Sequence, residues 1–372
     1  MDFSLSEEQE TVEQLAGQVF AGHASVERVR EIERSNERID RELWRALADA
    51  GLLALAVSEE LGGNGLGLIE LCLLLEQQGR HVAPVPLWPT VVLGALPIAE
   101  HGTPAQQQEW LPGVASGDLI LTAALAEPGA NDPFRPSVTA TRDGDGWRLD
   151  GAKPSVPAAH VATRVLIPAS IGEDEVGVFL VDPTGSGIER VVAETTDRSR
   201  VAHLTFAGAP AEPLGDVADG SRILTGMVDR ALVGLGALQV GVAEGALRLA
   251  ADYTSQRQQF GRPLSTFQGV ALKAADAYID TEAMRVTLWQ AAWRLTAGLD
   301  ATREVMVAKW WAAEGGQRVV HITQHLHGGM GADVDYPVHR YFLWGKQIEV
   351  TLGGASAQLA RLGRTLKDYT PA

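Results

Sequence analysis

The chain has 372 residues, 45% of them hydrophobic, which is enough to bury a sizeable core with no low-complexity tract to set aside. Its 47 acidic residues against 31 lysines and arginines give a formal charge of −16, a balance that repels phosphate backbones and anionic membrane surfaces and excludes nucleic acid as a natural partner. The single cysteine, Cys72, allows no disulfide framework and lies in the apolar run LCLLLE, where it reads as a buried structural thiol.

The N-terminal segment MDFSLSEEQE is acidic and lacks the basic and apolar regions of a signal peptide, and no stretch is read as a membrane span, so the expected location is the cytosol. Residues 1–118 have helical periodicity. Ser4 with Glu7 predicts a capping box, and Leu5, Val12, Leu15, Ala16, Val19 and Phe20 recur on one face behind it. A further helix is predicted after Asp40, with Leu43, Trp44, Leu47 and Ala48 inward and Gly51 as its stop. The glycine-rich stretch SEELGGNGLGLIEL (58–71) has no Gly-Lys-Ser/Thr ending and no strand before it, so it predicts a tight entry into a helix and not a phosphate loop. Pro84, Pro86 and Pro89 separate it from the next apolar helix.

The period then changes. Across 119–220, short β-rich runs such as VATRVLI, VGVFLVD and VAHLTF alternate with Gly, Pro and Asp turns, and RDGDG (142–146) predicts a hairpin. A small antiparallel β-barrel is the expected middle domain. Over 221–372 the helical period returns, with long helices predicted near 222–256, 266–298 and 302–327, Asp300 standing near the cap of the third. Long helices joined by short turns predict a C-terminal four-helix bundle.

Two stretches of that last region stand out. YTSQRQQFGRPLSTFQ (253–268) joins two helices through Gly261 and Pro263, with Ser265 and Gln268 placed for a capping box. QHLHGGMGADVDYPVHRYF (324–342) is a helix end opening into three glycines, where a phosphate or another backbone can approach. Its histidines 321, 325 and 327 predict packing or surface roles, and no metal site is expected.

In combination with HGTPAQQQEWLPGVASGD, LAEPGA, LDGAK, DYPVHR and LGGASAQL, in that order, these stretches give the chain a resemblance over nearly its whole length to the acyl-CoA dehydrogenase family. The resemblance implies a mainly α fold with a central β domain, in a tetramer-forming FAD flavoprotein. A carboxylate removes the α proton of an acyl-CoA thioester and the β hydrogen leaves as hydride to the flavin. It also implies a cofactor gripped by two protomers, and Arg257, Phe260 and Gln268 match the donated clamp. His325, where the family often has glutamine, and Gly328 and Gly329 match the glycine-rich contribution.

Other positions depart from the family. Ala123, Ala124, Leu125 and Ala126 stand before Glu127 and Pro128 where an aromatic, valine, threonine series is usual. Asn131, Asp132 and Pro133 replace Gly-Ser, and Pro154, Ser155, Val156 and Pro157 replace the Trp-Ile-Thr/Ser series that walls the flavin. Trp147 is out of register to substitute. The usual catalytic glutamate registers with Gly353, and the alternative position of a second subgroup with Ala231. Glu349 stands one helical turn before Gly353, about 6 Å along the axis, while Asp229, offset by two residues from Ala231, is turned away by about 200°. Gly354 is expected to hold the turn between the last two helices.

The resemblance is therefore to the base-lacking subunit of actinobacterial α2β2 steroid side-chain acyl-CoA dehydrogenases. It implies a homologous catalytic partner that holds the acyl-CoA, with electron-transfer flavoprotein as acceptor. Two alternatives stay open at this stage: a complete homotetramer with a relocated base such as Glu349, and a non-enzymatic acyl-CoA-binding or scaffold protein of the same fold.

Overall fold

A computed structural model describes residues 4–129 and 132–366. Helices come first: α1 (Glu7–His23), α2 (Val26–Arg34), α3 (Arg41–Asp49), α4 (Leu68–His81), a π-helical stretch Trp88–Ala95, α5 (Leu96–His101) and α6 (Pro104–Ala115). Seven strands follow: β1 (Leu121–Ala123), β2 (Thr139–Asp143), β3 (Gly146–Pro157), β4 (Arg164–Gly172), β5 (Glu175–Val181), β6 (Ile188–Glu194) and β7 (Arg200–Pro213). The rest is α7 (Gly220–Gln256), the short strands β8 (Gln258–Gln259) and β9 (Arg262–Pro263), then α8 (Gln268–Thr296), α9 (Thr302–Leu326), α10 (Val338–Val350) and α11 (Ala355–Thr365). The fold is mostly helical with a central β domain.

The described residues form two compact units. One contains 1–31, 72–83 and 232–372; the other contains 32–71 and 84–231. In the second unit, Asp40 caps α3 by accepting from the Glu42 and Leu43 amides, Leu43, Trp44 and Leu47 are buried, and Gly51 has φ +72°, a conformation glycine adopts at little cost. The sheet order β4-β2-β3-β7-β5 closes on itself because β5 also pairs with β4, while β1 joins β4 and β6 joins β7. It is a small closed ring. It is mixed and not purely antiparallel, since β1 and β2 both run parallel to β4. The reason is topological: β3 reverses β2 through the Gly144–Asp145 hairpin, and the turn after β3 reverses the chain again, so β4 must run with β2.

In the first unit α1 begins two residues later than expected. Ser6 and Gln9 make the capping box, Ser6 Oγ accepting from the Gln9 amide and Gln9 Oε1 from the Ser6 amide. The Ser6 start puts Glu7, Glu8 and Glu10 in the first turn, where the helix dipole favours negative charge. Helices α4 and α7 approach with almost no side chain between them, for a Cβ on Gly79 would lie 2.2 Å from Leu238 O and one on Gly241 2.0 Å from Glu76 O. An ion cluster spans the same crossing. Arg285 of α8 meets Glu76 at 2.6 Å and Glu244 at 3.1 Å, and Arg80 meets Glu244 at 2.7 Å. Helix α9 packs against α8, α10 and α11.

The segment Val217–Gln256 has an 18-residue window of mean hydropathy 1.4, apolar enough by composition to cross a membrane, contrary to the expectation that no stretch would be. That window is 78% buried inside the protein, which is the pattern of a core helix.

Candidate functional site

The candidate clamp residues lie on a protruding hairpin and a nearby helix end. Helix α7 stops at Gln256, β8 and β9 form a two-residue hairpin, and the turn residues Phe260 and Gly261 both have positive φ, +53° and +77°. A phenylalanine in the left-handed region costs about 1 kcal/mol or more, the kind of local strain that clusters at functional sites. Phe260 is also 92% exposed, its ring edge-on to Phe267 at 6.1 Å, over which Arg262 sits at 4.1 Å. Arg257 and Gln268 are exposed beside it. The expected Ser265–Gln268 capping box does not form, because Gln268 is the first helical residue and Phe267 occupies the cap with no side-chain bond.

Past the end of α9, Gly328 (φ +57°) and Gly329 are open: a Cβ on either would meet nothing within 4 Å. Gly331 is the opposite case, pressed against Gln324 O, while Gln324 Nε2 donates to Gly331 O at 2.9 Å. His325 is exposed and His327 buried. The His327 ring stacks on Tyr253 at 4.7 Å and lies 5.1 Å from Tyr336, and burial pushes its pKa down. Tyr253 stands one turn before Arg257, so this stack brings the hairpin and the glycine turn to one end of the unit. His321 packs against Phe342.

The strand expected to face a flavin ring is closed. Ala123, Ala124 and Leu125 are buried, and the Ala124 amide donates to Leu166 O. Thr122, whose hydroxyl is also buried, finds no partner among the described residues. Glu127 forms a buried ion pair with Lys153 and accepts from the Ser137 amide and hydroxyl. Asp132 Oδ1 accepts from the Phe134 amide, and Asn131 lies outside the described residues. After Lys153 the β3–β7 register slips, Ser155 takes φ +50°, and its amide donates to His203 Nδ1 at 3.1 Å. Trp147 packs on Phe179 in its hairpin.

At the two base positions the side chains are a methyl group and a hydrogen. Ala231 is fully buried in α7. Gly353 has φ +96° and follows Leu352 at φ +56°, whereas Gly354 is ordinary extended backbone (φ −75°, ψ −174°) at the cap of α11. The turn thus depends on Gly353, and the expectation that Gly354 holds it is corrected. Several carbonyls in and before the turn are engaged by side chains. Lys309 Nζ donates to Ile348 O (2.9 Å) and Glu349 O (3.1 Å), Gln358 Nε2 to Leu352 O and Gly353 O, and Arg361 Nη1 to Leu352 O. Burial lowers the Lys309 pKa to about 7, with the nearby Glu349 opposing and Arg361 adding to the fall. The Glu349 carboxylate is held by Lys346 Nζ at 2.5 Å. Asp229 is half-buried on α7. Among the described residues no cluster of His, Cys, Asp or Glu could hold a metal ion.

Family models match at both ends of the chain: "Acyl-CoA dehydrogenase, N-terminal domain" over residues 6–118 and "Acyl-CoA dehydrogenase, C-terminal domain" over 218–367. The chain belongs to the acyl-CoA dehydrogenase family. Acyl-CoA dehydrogenase FadE27 of Mycobacterium tuberculosis is 40% identical over 380 residues, covering 100% of both chains. Among solved structures, a chain of the ChsE4–ChsE5 complex from Mycobacterium tuberculosis superposes with a TM-score of 0.93 at 40% identity, covering 100% of each chain. A chain of a variant of the Tcur3481–Tcur3483 steroid ACAD does so at 0.93 and 53% identity, covering 98% of this chain and 99% of that one. The acyl-CoA dehydrogenase homologues are FAD-dependent oxidoreductases. Against that cofactor the residues here divide: exposed cations, an exposed aromatic and open glycines fit the approach of an ADP half from outside the chain, while the buried Ala123 of β1 and Ala124 after it offer no face to a flavin ring.

Sequence reasoning missed three residues. Lys309 had a signal, a lone cation at helical spacing among Val305, Ala308 and Ala312; Tyr253, which stacks on His327, and Trp88, which bonds to Ala231 O, had none.

Proposed function

We infer that this chain is the non-catalytic subunit of a hetero-oligomeric, FAD-dependent acyl-CoA dehydrogenase. It donates Arg257, Phe260, Gln268, His325, Gly328 and Gly329 to a cofactor whose ring lies in a homologous partner that carries the base. The observation that carries this inference is a contrast in exposure: Phe260 is 92% exposed in a strained turn, while Ala123 on the ring strand is 0% exposed.

Each donor has a physical task. The Arg257 guanidinium supplies planar, permanently charged donors suited to a pyrophosphate. Phe260 offers an apolar face, Gln268 an amide, and the glycine turn lets phosphate or ribose approach the backbone. FAD, when bound, supplies the hydride acceptor of the desaturation. A carboxylate must meet the α proton within hydrogen-bond reach, and neither Gly353 nor Ala231 offers one. Glu349 is poorly placed for that task because Lys346 already engages it.

An α2β2 assembly is supported by likeness to chains of a ChsE4–ChsE5 complex and of a Tcur3481–Tcur3483 steroid ACAD. A stripe of exposed apolar residues on α8, Leu272, Ile279, Val286 and Trp293 at every seventh position, is a second support. The substrate class that follows is a bulky, sterol side-chain acyl-CoA held in the partner, with electron-transfer flavoprotein as acceptor, in the cytoplasm. Within this proposal the chain divides at 1–118, 119–220 and 221–372, the last region being the four-helix bundle.

The test is Arg257→Ala in the assembly co-purified with its partner. Loss of one strong charge-assisted contact is expected to weaken FAD retention about 10-fold or more. Unchanged FAD content would instead favour an acyl-CoA-binding or scaffold role.

A further inference from the structure

Ala231 is also the site of an unusual contact. The indole of Trp88 donates from Nε1 to Ala231 O at 3.1 Å, and both residues are buried. In a regular helix that carbonyl already accepts from the amide four residues on, so the indole adds a second bond and satisfies a donor that would otherwise be buried without a partner.

Its position is fixed from both directions along the chain. Before it, the Leu87 amide donates to Val85 O, and Pro86 and Pro89 limit the backbone on either side. After it, the π-helical stretch is pressed onto β1, where a Cβ on Gly94 would lie 2.3 Å from Leu121 Cβ. Six residues after Trp88, then, the π-helical stretch lies close against β1.

A carboxylate at position 231 could serve as base only if an acyl group passed within hydrogen-bond reach of it. Here the Ala231 methyl is wholly buried and the indole lies against the same turn of α7. We propose that Trp88 closes this chain's own acyl site by occupying the space beside Ala231 that an acyl chain would need. The claim rests on the proposal above that position 231 marks a lost active site. Exchange of the ring for a small side chain leaves an apolar cavity, the kind of space that takes up an apolar ligand.

The experiment counts sites for a non-reactive thioether, S-butyl-CoA, on the co-purified assembly by equilibrium dialysis. Wild type is expected to bind one per two chains, Trp88→Ala one per chain, and Trp88→Phe, which keeps most of the bulk, one per two chains. If Trp88→Ala does not fold, Trp88→Leu is measured instead and is also expected to exceed the wild-type count. An unchanged count in a folded small-residue variant overturns the inference and leaves the proposed function standing. One site per chain already in wild type overturns both.

Discussion

Lys309 is wholly buried with its ammonium on the last carbonyls of α10, and burial holds its pKa near 7 against about 10.4 in an unfolded chain. Between those values the unfolded state binds the extra proton, so this group makes stability rise with pH from about 7 towards 10, and its contribution is flat below 7. Each pKa unit corresponds to about 1.4 kcal/mol, so the full rise is about 5 kcal/mol as an upper bound. Urea midpoints at pH 7 and pH 9 should therefore differ more for wild type than for Lys309→Met, and equal differences would contradict the assignment. Gly353 gives a second prediction at this scale. With φ +96°, a Gly353→Glu change is expected to cost about 1–3 kcal/mol in a denaturation curve and to give no dehydrogenase activity in the chain alone. Sequence pattern could show that a carboxylate is missing at Gly353, because the flanking motif fixes the register. It could not show which of two adjacent glycines has the left-handed backbone, since that depends on carbonyl partners brought by Lys309, Gln358 and Arg361 from other helices.

Elements were read most securely where a long period repeated. The expected helix at 302–327 is α9 at Thr302–Leu326, and Asp300 does accept from the Thr302 amide and hydroxyl near its start. Shorter signals competed with one another. Ser4-x-x-Glu7 and Ser6-x-x-Gln9 both fit a capping box, and only the second forms. The sheet was legible as a small barrel with a hairpin, but its two parallel pairings, β1–β4 and β2–β4, were not, because they are made between residues distant in sequence. On α8 the seven-residue spacing of Leu272, Ile279, Val286 and Trp293 gives a prediction for the element. Ile279→Lys alters an exposed position, so monomer stability should move by no more than about 0.5 kcal/mol. If the stripe is an assembly face, native mass measurements should show dissociation at a protein concentration on the order of 10-fold or more above that for wild type. An unchanged mass profile would remove the stripe from the interface.

For the whole molecule, the family was legible from the order of several motifs, and the proposed incompleteness of the site rests on single residues within them. The physical complement came from burial: Phe260 and Arg257 are exposed, while Ala123, on the strand paired with β4, and Ala124 are buried. Substrate and partner have no such local signal, because on the proposed function both depend on surfaces of a second chain. The central claim is that one cofactor is shared between two unlike chains, and its most direct test is the FAD content of the co-purified assembly against protein concentration. One FAD per two chains is the expected result; one FAD per chain, or yellow FAD-replete protein from this chain expressed alone, would contradict it.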